Sequence, residues 1–177
     1  MMVHMAFCYS SFYEAWCILD TKIDTHTVGT YTIPWIVNGA FACEVGMKYI
    51  LQINGIEFKR IHLLHELYGS LPDKHKKAII KELNEKYPNF TSDEFNNQIL
   101  VLSNYFSDFR YFYEHDLVSD LQFFRDWCLA IFKQVNCYPS YELTERKNSE
   151  GISFAEFDRK ASEIERKMIS KYRDNNR

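Results

Sequence analysis

Glycine and proline are scarce in this sequence, which has only 6 and 4 of them among 177 residues. Clusters of turn-forming residues are therefore widely spaced, and this disfavours folds built from many short strands joined by tight turns. Aromatic residues, in contrast, make up 16% of the chain and hydrophobic residues 46%, which is enough for one sizeable core. The composition predicts an all-α fold with long helices.

The sequence also lacks an excess of positive charge, because 24 aspartates and glutamates outnumber 21 lysines and arginines, giving a formal net charge of −3. A protein whose whole surface binds nucleic acid would be basic, so this class is disfavoured, while a local basic cleft remains compatible with the charge. Any contact with nucleic acid must be confined to a small part of the surface.

Neither a disulfide framework nor a membrane span is predicted. The 5 cysteines are odd in number and include no Cys-x-x-Cys pair, so we interpret them as reduced residues. The longest apolar stretch, residues 33–51, is interrupted by Asn38, Glu44 and Lys48, which would be costly in a bilayer. No basic segment precedes the apolar start of the chain. We therefore expect a cytoplasmic protein that does not associate with membranes.

The strongest helical pattern lies in residues 91–115. Large apolar residues recur there at alternating steps of four and three, which places them on one face of a helix with about 3.6 residues per turn. Thr91 and Glu94 form a capping box at its start, and Phe90 and Phe95 occupy the positions of a hydrophobic staple. We expect this stripe to face the core. Its members are Phe95, Ile99, Leu102, Phe106, Phe109 and Tyr113.

Six further helices are predicted from apolar periodicity and terminal signals. They cover residues 11–20, 34–53, 58–68, 72–87, 119–135 and 153–172. Ser11, Ser119 and Ser153 each precede a Glu or Gln by three residues and are the predicted caps, and Pro34 opens the most apolar helix. The threonine-rich residues 21–33 are predicted to be a loop or one short strand. The predicted organisation is an N-terminal part (1–33), a helical bundle (34–138), and a linker with a C-terminal amphipathic helix (139–177).

One face of the helix at residues 34–53 carries only small residues. They let another backbone approach closely, and this packing offsets the cost of two glycines within a helix. The face predicts either a central helix of the bundle or a dimer interface. On the same helix Glu44 and Lys48 are four residues apart, a spacing that by itself favours a surface ion pair. The small residues are Gly39, Ala42, Cys43 and Gly46.

No metal or cofactor site is predicted. His62 and His65 are three residues apart beside Glu66, whereas the zinc peptidase signatures place two histidines four apart around a glutamate or in the inverse order. The sequence also has no glycine-rich phosphate loop and no Glu-x-x-His pair of the di-iron kind. The remaining candidate for chemistry is a cluster at the end of the helix predicted over residues 91–115. It consists of Arg110, Tyr111, Tyr113, Glu114 and His115.

Three blocks, taken in order, resemble the HEPN superfamily of small α-helical domains, which occur in prokaryotic defence and toxin systems and in some eukaryotic proteins. The blocks are VNGAFACEVGMKYIL (residues 37–51), HLLHELYGSLP (62–72) and FRYFYEH (109–115). The first resembles the second helix of the family, and the second its His-x-Leu-x-x-Leu segment. The resemblance covers residues 34–136 and implies a HEPN-like antiparallel helical bundle, to which this chain adds a C-terminal amphipathic helix.

Many members of the superfamily are metal-independent endoribonucleases with an Arg-x4–6-His motif, and Arg110 and His115 have this spacing. The resemblance implies that the arginine holds the scissile phosphate and that the histidine moves a proton so that the RNA 2′-hydroxyl attacks. A guanidinium grips phosphate bidentately and an imidazole exchanges protons near neutral pH, so no metal is needed. The implied substrate-binding residues are Tyr111, Tyr113, Glu114, Glu44 and Lys48.

The helical geometry of the motif bears on the oligomeric state. Five residues of ideal helix place Arg110 and His115 about 140° apart, so a partner chain or a break in the helix must complete the site. The resemblance implies a homodimer with both motifs in one cleft, controlled by an antitoxin or regulatory protein. Two alternatives remain open. Arg110 can instead pair with Asp108 or Glu114, and the domain can be a non-catalytic HEPN module that binds a nucleotide, RNA or a protein partner.

Overall fold

The computed structural model describes residues 5–23, 28–58, 62–103, 120–138 and 154–175. These residues form seven helices and no strand, which confirms the all-α prediction for this part of the chain. The helices are α1 (Met5–Asp20), α2 (Val28–Ile53), α3 (Leu64–Ser70), α4 (Asp73–Lys86), α5 (Ser92–Ser103), α6 (Leu121–Val135) and α7 (Phe154–Asn175). Within the described ranges, none of these helices combines the length and the hydropathy needed to cross a bilayer.

The core is built around α2 and α6. Five side chains of α2, spaced three or four residues apart, are completely buried, and α6 buries aromatic and aliphatic side chains on more than one face. Helix α1 packs against α2, α4 packs against α6, and α3 bridges α2 and α5. These contacts place α2 and α6 at the centre of a helical bundle. Buried side chains of the two central helices include Ile36, Ala40, Cys43, Met47, Ile50, Phe123, Phe124, Trp127, Cys128 and Ile131.

The glycines of α2 are sites of close approach by other helices. A Cβ atom built on Gly39 would lie 2.7 Å from the indole of Trp16 and 2.9 Å from Phe124. A Cβ atom on Gly46 would lie 2.8 Å from Val135 and 3.1 Å from Tyr9. The small-residue face is therefore covered by α1 and α6 of the same chain. This face was predicted to mark either a central helix of the bundle or a dimer interface, and the structure supports the central helix.

Helix α2 begins six residues earlier than predicted, so Pro34 lies inside it rather than at its start. The prediction of a loop or strand for residues 21–33 is wrong from Val28 onward. The next residue after the proline, Trp35, is buried, its indole nitrogen donates to Asp20 Oδ1 at 3.1 Å, and its ring stacks on Trp16. Packing of this turn against α1 offsets the roughly 3 kcal/mol that an internal proline costs a helix.

Helix α1 also begins earlier than predicted, at Met5, which places Ser11 in its interior rather than at its cap. The reason is tertiary packing of the first two turns. Tyr9 is buried, stacks on Tyr13, and donates from its hydroxyl to Asn136 Oδ1 at 2.9 Å. These contacts with the far end of α6 hold a segment in which local signals alone are weak.

Helix α3 is shorter than predicted and shifted towards the C-terminus. It covers Leu64–Ser70 instead of residues 58–68, and Gly69 lies inside it. Leu63 precedes the helix in an extended conformation. His62 therefore precedes the helix that carries His65, and each of the two histidines contacts a different helix.

The caps of α5 and α6 show one correct and one wrong prediction. Thr91 and Glu94 form the capping box, with the Thr91 backbone N–H donating to Glu94 Oε2 at 2.8 Å and the Glu94 N–H donating to Thr91 Oγ1 at 3.2 Å. Helix α6 is instead capped by Asp120, whose Oδ1 accepts from the Phe123 N–H at 2.9 Å. The predicted cap, Ser119, lies outside the described residues.

The predicted stripe of residues 91–115 is confirmed only for its described part. Phe95, Ile99 and Leu102 of α5 are buried, while the positions from Phe106 onward lie outside the described residues. The two staple residues do meet on one partner, because Phe90 stacks on the ring of Phe123 and Phe95 contacts the same ring edge-on.

The C-terminal helix α7 docks on the end of α2. Arg173 donates to the backbone oxygens of Gln52 at 2.6 Å and Ile53 at 3.1 Å, which are among the last four carbonyls of α2; the Gln52 oxygen also accepts from the Gly55 N–H at 3.0 Å. Ile169 of α7 is buried, and Glu163 and Lys167 form an ion pair at 2.8 Å. The predicted cap at Ser153 and the side chains of Phe154, Glu156, Phe157 and Lys160 lie outside the described part.

Candidate functional site

The five residues of the predicted catalytic cluster lie in residues 104–119, outside the described residues. They are Arg110, Tyr111, Tyr113, Glu114 and His115. Ser103, the last residue of α5, is the nearest described position before them and precedes Arg110 by seven residues. The remaining two predicted site residues, Glu44 and Lys48, are on α2 and are fully described.

Glu44 and Lys48 form the predicted ion pair, but it is not on the surface. Lys48 Nζ donates to Glu44 Oε1 at 2.6 Å, and Glu44 is only 4% exposed. The side chain of Lys48 is 13% exposed. The interpretation as a surface pair is therefore wrong, because the turn of α2 that carries both residues is covered by neighbouring parts of the bundle.

His62 is the third member of this cluster. Its Nδ1 lies 3.0 Å from Glu44 Oε1, the same oxygen that accepts from Lys48. A carboxylate oxygen only accepts, so Nδ1 carries the proton and Nε2 is the unprotonated nitrogen of the neutral ring. The His62 side chain is 70% exposed. The His62 imidazole thus lies at the surface of the bundle, and its hydrogen bond to the buried Glu44 carboxylate fixes its orientation.

Glu44 has a further unusual feature. Its second oxygen, Oε2, is buried and has no hydrogen-bond partner among the described residues. Removing a carboxylate from water costs several kcal/mol, and a lysine that bonds one oxygen repays only part of this cost. The net contribution of the Glu44 carboxylate to stability is therefore small, because the gain from its bonds is offset by the cost of burying it. A buried polar atom without a partner is uncommon in native proteins and calls for an explanation, of which a functional role is one.

His65 ties α3 to the end of α5. The Ser103 hydroxyl accepts from the His65 backbone N–H at 3.2 Å and lies within hydrogen-bond distance, 2.7 Å, of His65 Nδ1. Ser103 is itself buried. The two neighbouring histidines therefore connect different helices, His62 to α2 and His65 to α5. Within the described ranges, no three His, Cys, Asp or Glu residues are grouped so that they could hold a metal ion.

A second buried carboxylate, Asp126 on α6, serves the joint with α4. Lys86 donates to its Oδ1, while Tyr87 and Gln122 donate to its Oδ2 at 2.9 and 3.1 Å. Burial alone would raise the pKa of Asp126, but these three hydrogen bonds favour the charged form and the pKa is lowered. Unlike Glu44, Asp126 has donors for both oxygens, and we interpret it as structural.

Buried His75 forms a third polar group, which sequence patterns did not reveal. Asn54 donates to the Tyr138 hydroxyl at 2.9 Å, and that hydroxyl lies 2.7 Å from His75 Nε2. The Gln134 amide oxygen only accepts, so His75 Nδ1 donates to it at 3.1 Å, and Nε2 of the neutral ring then accepts from the Tyr138 hydroxyl. Burial lowers the pKa of His75. The network satisfies a neutral imidazole and joins the ends of α2, α4 and α6.

Comparison of the chain with protein-family models, with curated proteins and with solved structures gave no significant match.

Proposed function

We propose that this protein is a HEPN-like endoribonuclease that cleaves RNA without a metal ion, with Arg110 and His115 as its catalytic residues. The proposal is supported by the order of the three sequence blocks, by the Arg-x4-His spacing and by the all-α bundle of the described residues. One structural observation carries most weight. Glu44 and Lys48 of the first block contact His62 of the second, forming a polar cluster whose carboxylate is buried and whose imidazole is exposed.

That observation matters because bundle packing alone would not need it. A buried carboxylate with an unpartnered oxygen adds little stability, yet it orients an imidazole towards solvent. Two of the three blocks that resemble the superfamily in sequence, the first and the second, therefore contribute this polar surface. Function is a better explanation of that coincidence than packing.

In the proposed reaction Arg110 binds the scissile phosphate through its planar guanidinium, while His115 transfers a proton. The 2′-oxygen forms a bond to phosphorus, and the bond from phosphorus to the 5′-oxygen breaks. The products are a 2′,3′-cyclic phosphate and a 5′-hydroxyl. We further propose that the enzyme acts as a homodimer in a cytoplasmic defence or toxin setting, under the control of an antitoxin or regulatory protein.

The test is digestion of a mixed single-stranded RNA by purified protein in EDTA. Arg110→Ala should weaken both RNA binding and turnover, since the phosphate loses a charge-assisted partner that contributes about 1.5–3 kcal/mol. His115→Ala should leave binding largely intact and lower the rate by about 10²–10⁴-fold. Arg110→Lys should rescue poorly because an ammonium cannot form the two parallel bonds.

Arg166→Ala is the matched control, because it removes the same charge from an exposed position of α7. This variant should cleave like wild type. Equal activity in wild type, Arg110→Ala and His115→Ala would point to a contaminating nuclease and contradict the proposal. Absence of cleavage with retained binding of RNA or a nucleotide would instead favour the non-catalytic module.

A further inference from the structure

We propose that the exposed face of α4 is a binding surface for the phosphate backbone of RNA, formed by Lys74, Lys77 and Lys81. These three residues are the α4 lysine stripe, and all of them lie in the described part of the chain. The choice of RNA as the polyanion rests on the proposed function. The inference adds a surface that holds RNA by its charge and takes no part in the chemistry.

The charge of α4 is opposite in sign to that of the whole protein. Of its 14 residues, 5 are lysines and 3 are aspartate or glutamate, whereas the complete sequence has a formal net charge of −3. A protein with a negative net charge attracts a polyanion only through a local excess of positive charge. Helix α4 has such an excess.

Ion pairs neutralise other charges of α4 but not the stripe. Lys76 pairs with Asp73 at 3.1 Å, and Glu82 pairs with Lys133 of α6 at 3.1 Å. No member of the stripe has an ion-pair partner among the described residues. The positive charge of the stripe is therefore available to a ligand.

The three lysines lie on one side of α4, and all of them are exposed. With about 3.6 residues per turn, their positions fall within roughly 60° of one another and span about 10 Å along the helix axis. A nucleic-acid backbone has charges that repeat on this scale, since each strand of a duplex carries a phosphate about every 3.4 Å. The stripe is long enough to contact about three phosphates.

The surroundings of the stripe also suit a nucleic-acid strand. The ammonium of Lys74 lies 6.0 Å from the centre of the Tyr138 ring, a contact that leaves its N–H donors for a phosphate. The other two lysines line an open depression of about 470 Å³, together with the amide of Asn84 and the apolar side chain of Ile80. The amide adds a hydrogen-bonding group, and the apolar side chain adds a contact for a sugar or base.

The opposite side of α4 is fixed in the bundle. Ile79 and Leu83 are buried, and His75 donates to Gln134 of α6 at 3.1 Å. The apolar face of the helix is thus already covered, and Ile80 is the one large apolar side chain that α4 exposes. A helix that binds in a membrane surface needs a free apolar face. The stripe therefore fits a hydrated polyanion better than a lipid surface.

Glu85 provides a test of sign. This exposed carboxylate lies four residues after Lys81, lines the same depression, and has no ion-pair partner within the described ranges. A phosphate bound by the stripe would be repelled by it. Glu85→Gln should therefore tighten RNA binding, whereas neutralising the lysines should weaken it.

The experiment measures binding of a fluorescent 2′-O-methyl RNA strand of mixed sequence by anisotropy, over a series of salt concentrations. This probe lacks the 2′-hydroxyl, so it cannot be cleaved by the proposed reaction. The triple variant Lys74→Gln, Lys77→Gln, Lys81→Gln should bind at least about tenfold more weakly at about 50 mM salt. The slope of log affinity against log salt should become shallower by about 2, at roughly 0.7 per lost phosphate contact. Glu85→Gln should bind roughly 2–5-fold more tightly.

The matched control removes the same charge from exposed positions of α7. It is the triple variant Arg166→Gln, Lys167→Gln, Lys171→Gln, and its affinity should stay within about threefold of wild type because distant surface charges are screened. Glutamine has nearly the helix propensity of lysine, so both triple variants should keep the wild-type midpoint of thermal unfolding.

Three outcomes would overturn the inference. They are failure of wild type to bind the RNA, equal affinity and salt slope in wild type and the α4 triple variant, and equal losses in the α4 and α7 triple variants, which would show an effect of net charge alone. Binding to vesicles of anionic phospholipid that depends on the stripe, with RNA binding unaffected by it, would also overturn it and assign the stripe to a membrane surface.

The proposed function is tested separately by cleavage of unmodified RNA in EDTA. If wild type cleaves this RNA and the α4 triple variant binds the probe equally well, the inference falls and the proposed function stands. If the probe binds through the stripe and wild type does not cleave, the proposed function falls and the RNA-binding surface stands.

Discussion

Replacement of Gly39 by alanine tests the packing at the centre of the bundle. The new Cβ atom would lie 2.7 Å from the indole of Trp16 and 2.9 Å from Phe124, and both rings are buried. Contacts this short require the rigid aromatic rings to move, and overpacking of this kind costs about 1–3 kcal/mol. Alanine regains about 1 kcal/mol of helix propensity. The expected net loss in the free energy of unfolding is roughly 0–2 kcal/mol.

Gly69→Ala is the matched control. Gly69 is also helical, but a Cβ atom there has no neighbour within 4 Å, so the substitution should stabilise the protein by up to about 1 kcal/mol. Because the propensity gain is common to both variants, their difference isolates the packing term of about 1–3 kcal/mol. Urea unfolding followed by circular dichroism measures it. Equal stability of the two variants would refute the close approach of α1 and α6 to α2.

Two further predictions concern buried polar groups. Asp126→Ala should lower the free energy of unfolding by roughly 1.5–3 kcal/mol, because charge-assisted bonds from Lys86 and Tyr87 are lost. The control Glu82→Ala removes an ion pair with the exposed Lys133 and should cost less than about 1 kcal/mol. Similar losses for the two variants in urea unfolding would contradict the structural role of Asp126. For His75, whose pKa is lowered by burial, the unfolded chain binds the proton more readily, so stability should be full above about pH 6.5 and decline as pH falls below it. His75→Gln should flatten this slope as the pH falls through that range, and an unchanged slope would show that another group titrates.

Sequence spacing predicts one contact of the candidate site and misses another. The pairing of Glu44 with Lys48 follows from positions four apart on one helix, and the structure has it. Its burial does not follow, because burial depends on which parts of the chain cover that turn of α2. The bond from His62 to Glu44 joins residues 18 apart, and His62 lies before a helix whose start was predicted wrongly. No local pattern identifies such a contact.

Local information in the chain is sufficient for the class of the fold and for features that depend on near neighbours. The apolar stripes of α2, α5 and α6 and the capping box of Thr91 with Glu94 are of this kind, since helical periodicity and capping involve residues at most a few positions apart. Where helices begin, when local signals conflict, depends on tertiary contacts. Contacts of Trp35 with α1 stabilise the turns of α2 on both sides of Pro34. Contacts of Tyr9 with the end of α6 stabilise the part of α1 that precedes Ser11. The bond from Tyr9 to Asn136 joins residues 127 positions apart, and its energy exists only once the bundle has formed.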